Sequence, residues 1–208
     1  ARLAINLMQT CQEHGGCPIN RMEVVGVLHG EDGKVCGVRV EDLLADREYE
    51  VKSKVVLNAA GIFVDSIMKL DLPTHEHMVQ PSQGIHLVLD RSFLPGDAAL
   101  MIPKTEEGRV LFAVPWHNKI VVGTTDTLRE KPEWEPKALE EEVEFVLRTA
   151  GKYLTRKPER SDVRSVFAGL RPLAAPKKEG KSTKEISRSH KIYVSENRLI
   201  TIVGGKWT

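Results

Sequence analysis

Four cationic or titratable side chains sit inside runs that are otherwise apolar. His86 lies in Gly84-Ile-His-Leu-Val-Leu89 and Arg171 in Ala168-Gly-Leu-Arg-Pro-Leu173. Arg188 follows Ile186-Ser187, and Lys206 follows two glycines at the end of an apolar run. A cation among apolar neighbours costs free energy unless it meets an anion or turns to water. Strand alternation could send any one of them to solvent. Four in one chain favour an anion pocket instead. The guest expected from these types is a small phosphate or carboxylate, since a guanidinium grips either with two parallel hydrogen bonds.

Other chemistries find little support. No two glycines lie two residues apart, so the dinucleotide fingerprint GxGxxG cannot occur, and GxxxxGK[ST] is absent too. If a dinucleotide binds, its main phosphate loop lies outside this sequence. His75 and His77 flank Glu76, but two histidines at i, i+2 are a weak ligand pair, and no metal is expected. There is no GxSxG elbow. Cys11, Cys17 and Cys36 form no CxxC pair and leave an odd count, which fits a reducing compartment better than a disulfide framework.

Charge and length narrow the classes further. Across 208 residues, 30 Lys and Arg face 29 Asp and Glu, so no global basic field argues for nucleic acid. A chain of this size buries about 70% of its unfolded surface on folding, enough for a sizeable core. The sequence begins at Ala1, and the apolar run Leu199–Val203 passes into Gly204-Gly-Lys-Trp-Thr208, where a turn or helix would open. We therefore expect a piece of a longer chain.

The elements that must position these residues follow from periodicity. Residues 1–14 end a helix, stopped at Gly15-Gly16. Arg21–Leu28, Lys34–Val40 and Tyr49–Lys52 form an antiparallel meander turned at Gly30–Gly33. Lys54–Asn58 is continuous and apolar, as a strand buried on both faces should be. Ala59-Ala-Gly61 turns into a helix over Ile62–Leu70. Then come the strands Met78–Gln80, Ile85–Leu89, Ala99–Ile102, Val110–Pro115 and Ile120–Thr124. Pro136–Gly151 is the clearest helix, with Leu139, Val143, Val146, Leu147 and Ala150 on one face and Glu140–Glu142 where the helix dipole favours them. Asp162–Leu173, Ile186–Val194 and Leu199–Val203 are strands, and Lys177–Lys184 is a polar loop expected to be mobile.

Several stretches, in order, carry a resemblance. They are Val55-Val-Leu-Asn-Ala-Ala-Gly61 with Asp65, Pro81-Ser-Gln-Gly-Ile-His-Leu-Val88, Phe112-Ala-Val-Pro-Trp116, Val122-Gly-Thr-Thr-Asp126, Gly169-Leu-Arg-Pro-Leu173, Ile186-Ser-Arg188 and Gly204–Thr208. The chain resembles the FAD-dependent glycerol-3-phosphate dehydrogenases, within the D-amino-acid-oxidase-like flavoproteins. The GTTD, GxRPL and GGKWT trio is the specific part; the strand end at Asn58–Gly61 is shared more widely.

The resemblance implies an α+β fold, with part of an FAD-binding α/β domain (meander plus buried strand) and a substrate domain on a large, mainly antiparallel sheet flanked by helices. It places residues 1–70 in the FAD domain, 71–197 in the substrate domain, and 198–208 back in the FAD domain. It implies oxidation of sn-glycerol 3-phosphate to dihydroxyacetone phosphate by hydride transfer to FAD, with electrons passed to a quinone. Ala60, Gly61, Gly204, Gly205, Lys206, Trp207 and Thr208 would lie against the cofactor. Arg171, Arg188, Lys206 and Thr125 would hold the substrate, with Arg188 on its phosphate. His86 is the candidate base, since histidine titrates near neutral pH; a neutral Lys206 or a water could take that role instead. The resemblance implies a cytoplasmic enzyme, or one held peripherally on the cytoplasmic face of a membrane. It also implies that this piece alone neither retains FAD tightly nor turns over. Two other readings stand beside it: an oxygen-using glycerol-3-phosphate oxidase or amine oxidase of the same group, and a non-enzymatic binding module on the same fold.

Overall fold

The computed structural model describes residues 2–103, 105, 108, 110–175 and 189–205. Its helices are α1 (Arg2–Glu13), α2 (Val64–Asp71) and α3 (Glu140–Ala150). Its strands are β1 (Met22–His29), β2 (Val35–Asp42), β3 (Arg47–Lys52), β4 (Leu57–Asn58), β5 (Val79–Asp90), β6 (Leu100–Ile102), β7 (Leu111–Trp116), β8 (Lys119–Gly123), β9 (Thr127–Leu128), β10 (Ser165–Ala174), β11 (Lys191–Val194) and β12 (Ile200–Val203). The chain divides into two compact units. One combines Ala1–Asn58, Ser66–His75 and Tyr193–Thr201; the other combines Ala59–Asp65, Glu76–Ile192 and Ile202–Thr208. The architecture is α+β with mainly antiparallel sheets, as expected.

In the first unit the meander β1-β2-β3 is antiparallel throughout. Its turns are made by local polar bonds. The Asp32 carboxylate accepts the Lys34 N–H at 3.0 Å. Asp42 accepts the N–H groups of Leu44 and Ala45 at 2.9 and 3.2 Å. Such Asx bonds offer the backbone an alternative to the ladder and end the strand there. A three-stranded sheet of order β11-β12-β4 has one parallel pair, β12 with β4.

That sheet corrects one expectation. Lys54–Asn58 is not a strand buried on both faces. Only Leu57–Asn58 is strand, and Val55 and Leu57 are 54% and 61% exposed. Among the described residues β4 is a two-residue edge strand paired to β12 alone, and Val55 lies outside it.

The unit is tied by a buried carboxylate at the end of α2. Asp71 takes His29 Nε2 at 2.7 Å on one oxygen and Asn197 Nδ2 at 3.1 Å on the same atom. Its other oxygen accepts the Ser195 hydroxyl at 3.1 Å. A buried carboxylate is tolerated only when its lone pairs are met in this way.

The second unit is built on a six-stranded sheet, order β10-β5-β8-β7-β6, with β9 also on β5. The twelve-residue β5 is its spine, and it pairs with β10 over ten rungs from Ser165↔Val88 to Ala174↔Val79. Sequence reading splits β5 at Pro81 and Gly84; the structure does not. Pro81 sits directly opposite Pro172, so the two residues without an N–H share a single rung. Asp162 belongs to a short 3-10 turn, and β10 starts only at Ser165. The expected strand from Ile186 is seen from Lys191 onward, with 186–188 and the loop Lys177–Lys184 outside the described residues.

Period-two alternation gives the sheet two faces. One carries Ile85, Leu87, Leu89, Leu111, Ala113, Ile120 and Val122, packed with Val143, Val146, Leu147 and Ala150 of α3. Burying each large side chain contributes about 1.5–3 kcal/mol. The other face carries His86, Phe167 and Arg171, and no helix packs the described residues there into the core cluster. Among the described residues, no helix is long and apolar enough to cross a membrane.

The Asp71 clip predicts an asymmetric result. Asp71→Ala orphans three donors and should destabilise by about 2–4 kcal/mol. His29→Ala, whose ring is about one third exposed, should cost about 1 kcal/mol or less. Denaturant unfolding of both variants checks the ranking; equal losses would contradict it.

Candidate functional site

The site lies on the open face of the large sheet and begins with Arg171. On β10, Arg171 pairs with Ser82 of β5, and two rungs away, on the same face, Gly169 pairs with Gly84. The guanidinium turns back along the strand and lies over Gly84. A Cβ built there would sit 2.1 Å from Nη2 and 2.6 Å from the central guanidinium carbon. No side chain fits at that position while the arginine keeps this pose.

Two residues after β8 hold the guanidinium from the side. Nη2 donates to the Thr124 hydroxyl at 2.9 Å. Nη1 lies 3.7 Å from the Asp126 carboxylate, which is itself nearly buried and also accepts the Ser82 hydroxyl. An ion pair this sheltered is screened far less than a surface pair, and it fixes the planar group in orientation.

His86 stands two rungs further along, on the same face. Its strand partners are Phe167 on β10 and Gly123 on β8. The imidazole stacks on Phe167, with ring centroids 5.1 Å apart and planes 12° apart. On its other side the ring crosses Gly123, where a Cβ would come within 2.5 Å of Cδ2. Burial, and then the positive charge of Arg171, pushes the His86 pKa below its ordinary value. At neutral pH its imidazole is therefore uncharged and able to accept a proton. Beyond Phe167 the same face continues as a groove of about 550 Å³, walled by Val88, Val114, Trp116 and Val121 with Lys119 at its rim.

The other expected residues fall in different places. Ala60 precedes a 3-10 turn at Gly61–Phe63, and its carbonyl accepts the Phe63 N–H at 3.0 Å. Gly61 has φ +60°, and open space where a Cβ would be. Gly204 and Gly205 have φ +74° and +101°. Gly61 thus presents bare, left-handed backbone that a flat ring can approach closely, which fits a flavin; Gly204 and Gly205 share the left-handed conformation, but a Cβ on Gly204 would meet the Ser189 carbonyl at 3.1 Å. Arg188, Lys206, Trp207 and Thr208 lie outside the described residues.

Thr125 is corrected by the structure. Its side chain is buried, on the core side of the sheet, and its hydroxyl is committed. It donates to Glu142 at 2.8 Å and accepts the Ile85 N–H at 3.1 Å. The threonine that faces Arg171 is Thr124. Sequence reasoning had the GTTD motif but not its alternation: consecutive residues of an extended segment point to opposite faces. It also missed Ser82 as a partner of Asp126, though Ser82 stands two residues before Gly84.

Gly84→Ala tests the geometry directly. Its clash is with the far end of a flexible side chain, so the sheet should survive, with Tm lowered by no more than a few degrees. Arg171 should leave Thr124 in a crystal structure of the variant. A guanidinium in its original place would contradict the arrangement.

Comparison with known proteins places these residues in context. The model of the family "FAD dependent oxidoreductase" matches residues 1–202. The whole chain is 39% identical to mitochondrial glycerol-3-phosphate dehydrogenase of Homo sapiens, of which it covers 29%. It is also 39% identical to the mitochondrial glycerol-3-phosphate dehydrogenase SDP6 of Arabidopsis thaliana, of which it covers 33%. Among solved structures, the glycerol-3-phosphate dehydrogenase from Bacillus halodurans complexed with FAD superposes with a TM-score of 0.85 at 33% identity. That match covers 99% of this chain and 39% of the other. Glycine oxidase from Bacillus cereus, at 17% identity and a TM-score of 0.56, shares the fold over 80% of this chain and 41% of that one. The chain therefore spans about a third of the length of the curated relatives it matches. With its family model matched over nearly its full length, the chain belongs to the FAD-dependent oxidoreductases of the DAO family.

Proposed function

We propose that this chain forms the substrate-facing sheet, and part of the flavin-binding portion, of an FAD-dependent glycerol-3-phosphate dehydrogenase. The observation that carries the reading is a fixed guanidinium beside an uncharged histidine, Arg171 and His86, on the open face of the sheet. The whole-chain likeness to glycerol-3-phosphate dehydrogenases supports it.

The residues suit the chemistry of a phosphorylated secondary alcohol. Arg171 presents parallel N–H donors to an oxygen of the substrate, and Thr124 with Asp126 keeps those donors aimed. His86 accepts the hydroxyl proton as the C2–H bond breaks, which a neutral imidazole can do and an imidazolium cannot. Phe167 covers one face of that ring and limits its motion. The Gly61 and Gly204–Gly205 backbone would hold FAD, which would supply the hydride acceptor. In this reading Arg188 grips the phosphate and Lys206 the substrate near the ring, both on the resemblance alone. A quinone is the acceptor of the electrons.

The test uses the full-length, flavin-loaded protein that carries this chain, kept free of oxygen. Adding glycerol 3-phosphate should bleach the oxidised flavin band. Slow return of colour in air supports a quinone-linked dehydrogenase, and fast return would show an oxidase. No bleaching, with flavin present, would overturn the assignment of substrate.

Two variants test the roles. Arg171→Met removes a charged hydrogen-bonding partner, worth about 1.5–3 kcal/mol, and should lower kcat/KM by roughly 10- to 150-fold. It also removes the charge that depresses the His86 pKa. The acid limb of the pH profile, where activity is lost as His86 protonates, should therefore move to higher pH. His86→Ala should slow flavin reduction by about 10²–10⁴-fold. An unchanged reduction rate in His86→Ala would remove it as the base.

A further inference from the structure

The core side of the sheet, directly behind Arg171, carries a second charged group that the substrate reading does not use. Glu142 sits in the first turn of α3 and is 3% exposed. Its Oε1 accepts the hydroxyls of Thr125 at 2.8 Å and Thr127 at 2.7 Å. Its Oε2 accepts Gln83 Nε2 at 2.6 Å and the Leu139 N–H at 2.9 Å. The last bond is the reach-back of an N3 glutamate to the helix start, where the dipole favours a negative charge. Gln83 also donates to the Lys137 carbonyl at 3.0 Å, which ties β5 to the approach to α3.

Burial pushes the Glu142 carboxyl up. The hydrogen bonds from Leu139, Thr127, Gln83 and Thr125 outweigh that and hold it below the ordinary glutamate value. The group is therefore an anion at neutral pH, with four donors fixed around it.

The alternation of its partners is what matters. Thr125 and Thr127 point inward to Glu142, whereas Thr124 and Asp126 reach the Arg171 guanidinium. Gln83 points inward to Glu142, whereas its neighbours are Ser82, which bonds Asp126, and Gly84, over which the guanidinium lies. One carboxylate thus pins both backbone segments whose outer side chains cradle the arginine.

We propose that Glu142 is a positioning residue: a buried anion that sets Arg171 from the opposite face of the sheet, by fixing segments 82–85 and 124–127. It touches no substrate. The kinetic part rests on the glycerol 3-phosphate reading; the structural part stands without it.

The test uses the full-length, flavin-loaded protein with Glu142→Gln, and Thr127→Val as the milder variant that removes a single donor. The expected result is a split. KM for glycerol 3-phosphate should rise about ten-fold in Glu142→Gln and about two- to three-fold in Thr127→Val, in proportion to the hydrogen bonds lost. The bound flavin content should stay unchanged. A crystal structure of either variant should show Arg171 displaced from Thr124. A lowered Tm with unchanged KM and an unmoved Arg171 would make Glu142 a structural residue only and overturn the proposal. If the unmodified protein fails to oxidise glycerol 3-phosphate, the substrate reading fails, and the position of Arg171 in the variants still decides this one. If Glu142→Gln does not fold, Thr127→Val decides.

Discussion

The Arg171 guanidinium lies so close to the sheet that the strand beneath it can carry no side chain. Gly84 meets that condition, and the open face of the sheet follows from it. The guanidinium reaches Thr124 and Asp126 because it is folded over β5 rather than extended into solvent. His86 feels its charge for the same reason. The opposite face of the same strand is fully committed to the core: Ile85, Leu87 and Leu89 pack with the α3 side chains. Strand alternation thus turns one stretch of β5 into both the wall of a core and the floor of a charged site.

At the site, charge sits on both faces of the sheet. Outside, Asp126 faces Arg171; inside, Glu142 is met by hydroxyls, an amide and a helix N–H. Neither arrangement is a surface ion pair of the kind that contributes little. A half-satisfied buried network would be worse than an apolar one, so its value lies in orientation. The groove beyond Phe167 is mostly apolar by contrast, walled by Val88, Val114, Trp116 and Val121.

Much of the fold was legible in the sequence. The meander, the helix around Val143–Ala150 and most strands follow from periodicity and turn chemistry. The exceptions share a cause: they depend on neighbours. The apolar run before Asn58 looks buried because burial is inferred from composition, yet β4 lies at a sheet edge. Pro81 and Gly84 look like breaks in a strand, yet Pro172 and Arg171 on β10 supply the reasons they are tolerated. At the site, His86 and Arg171 stood out as polar residues in apolar runs. Thr125 turns inward to Glu142 and Thr124 outward to Arg171, and a motif names residues without telling which way they face. Glu142 was noticed only as one of three acidic residues favoured by the helix dipole. Its place on the same face as Val146 and Thr149 was the available signal that it points inward.

If the guanidinium over Gly84 anchors a substrate oxygen, a bound ligand must show it. The most direct measurement is a crystal structure of the full-length, flavin-loaded protein with an unreactive analogue of glycerol 3-phosphate. A ligand oxygen is then expected within hydrogen-bond distance of Arg171, with the analogue of the C2 hydroxyl beside His86. A ligand bound elsewhere, with Arg171 and His86 untouched, would contradict it.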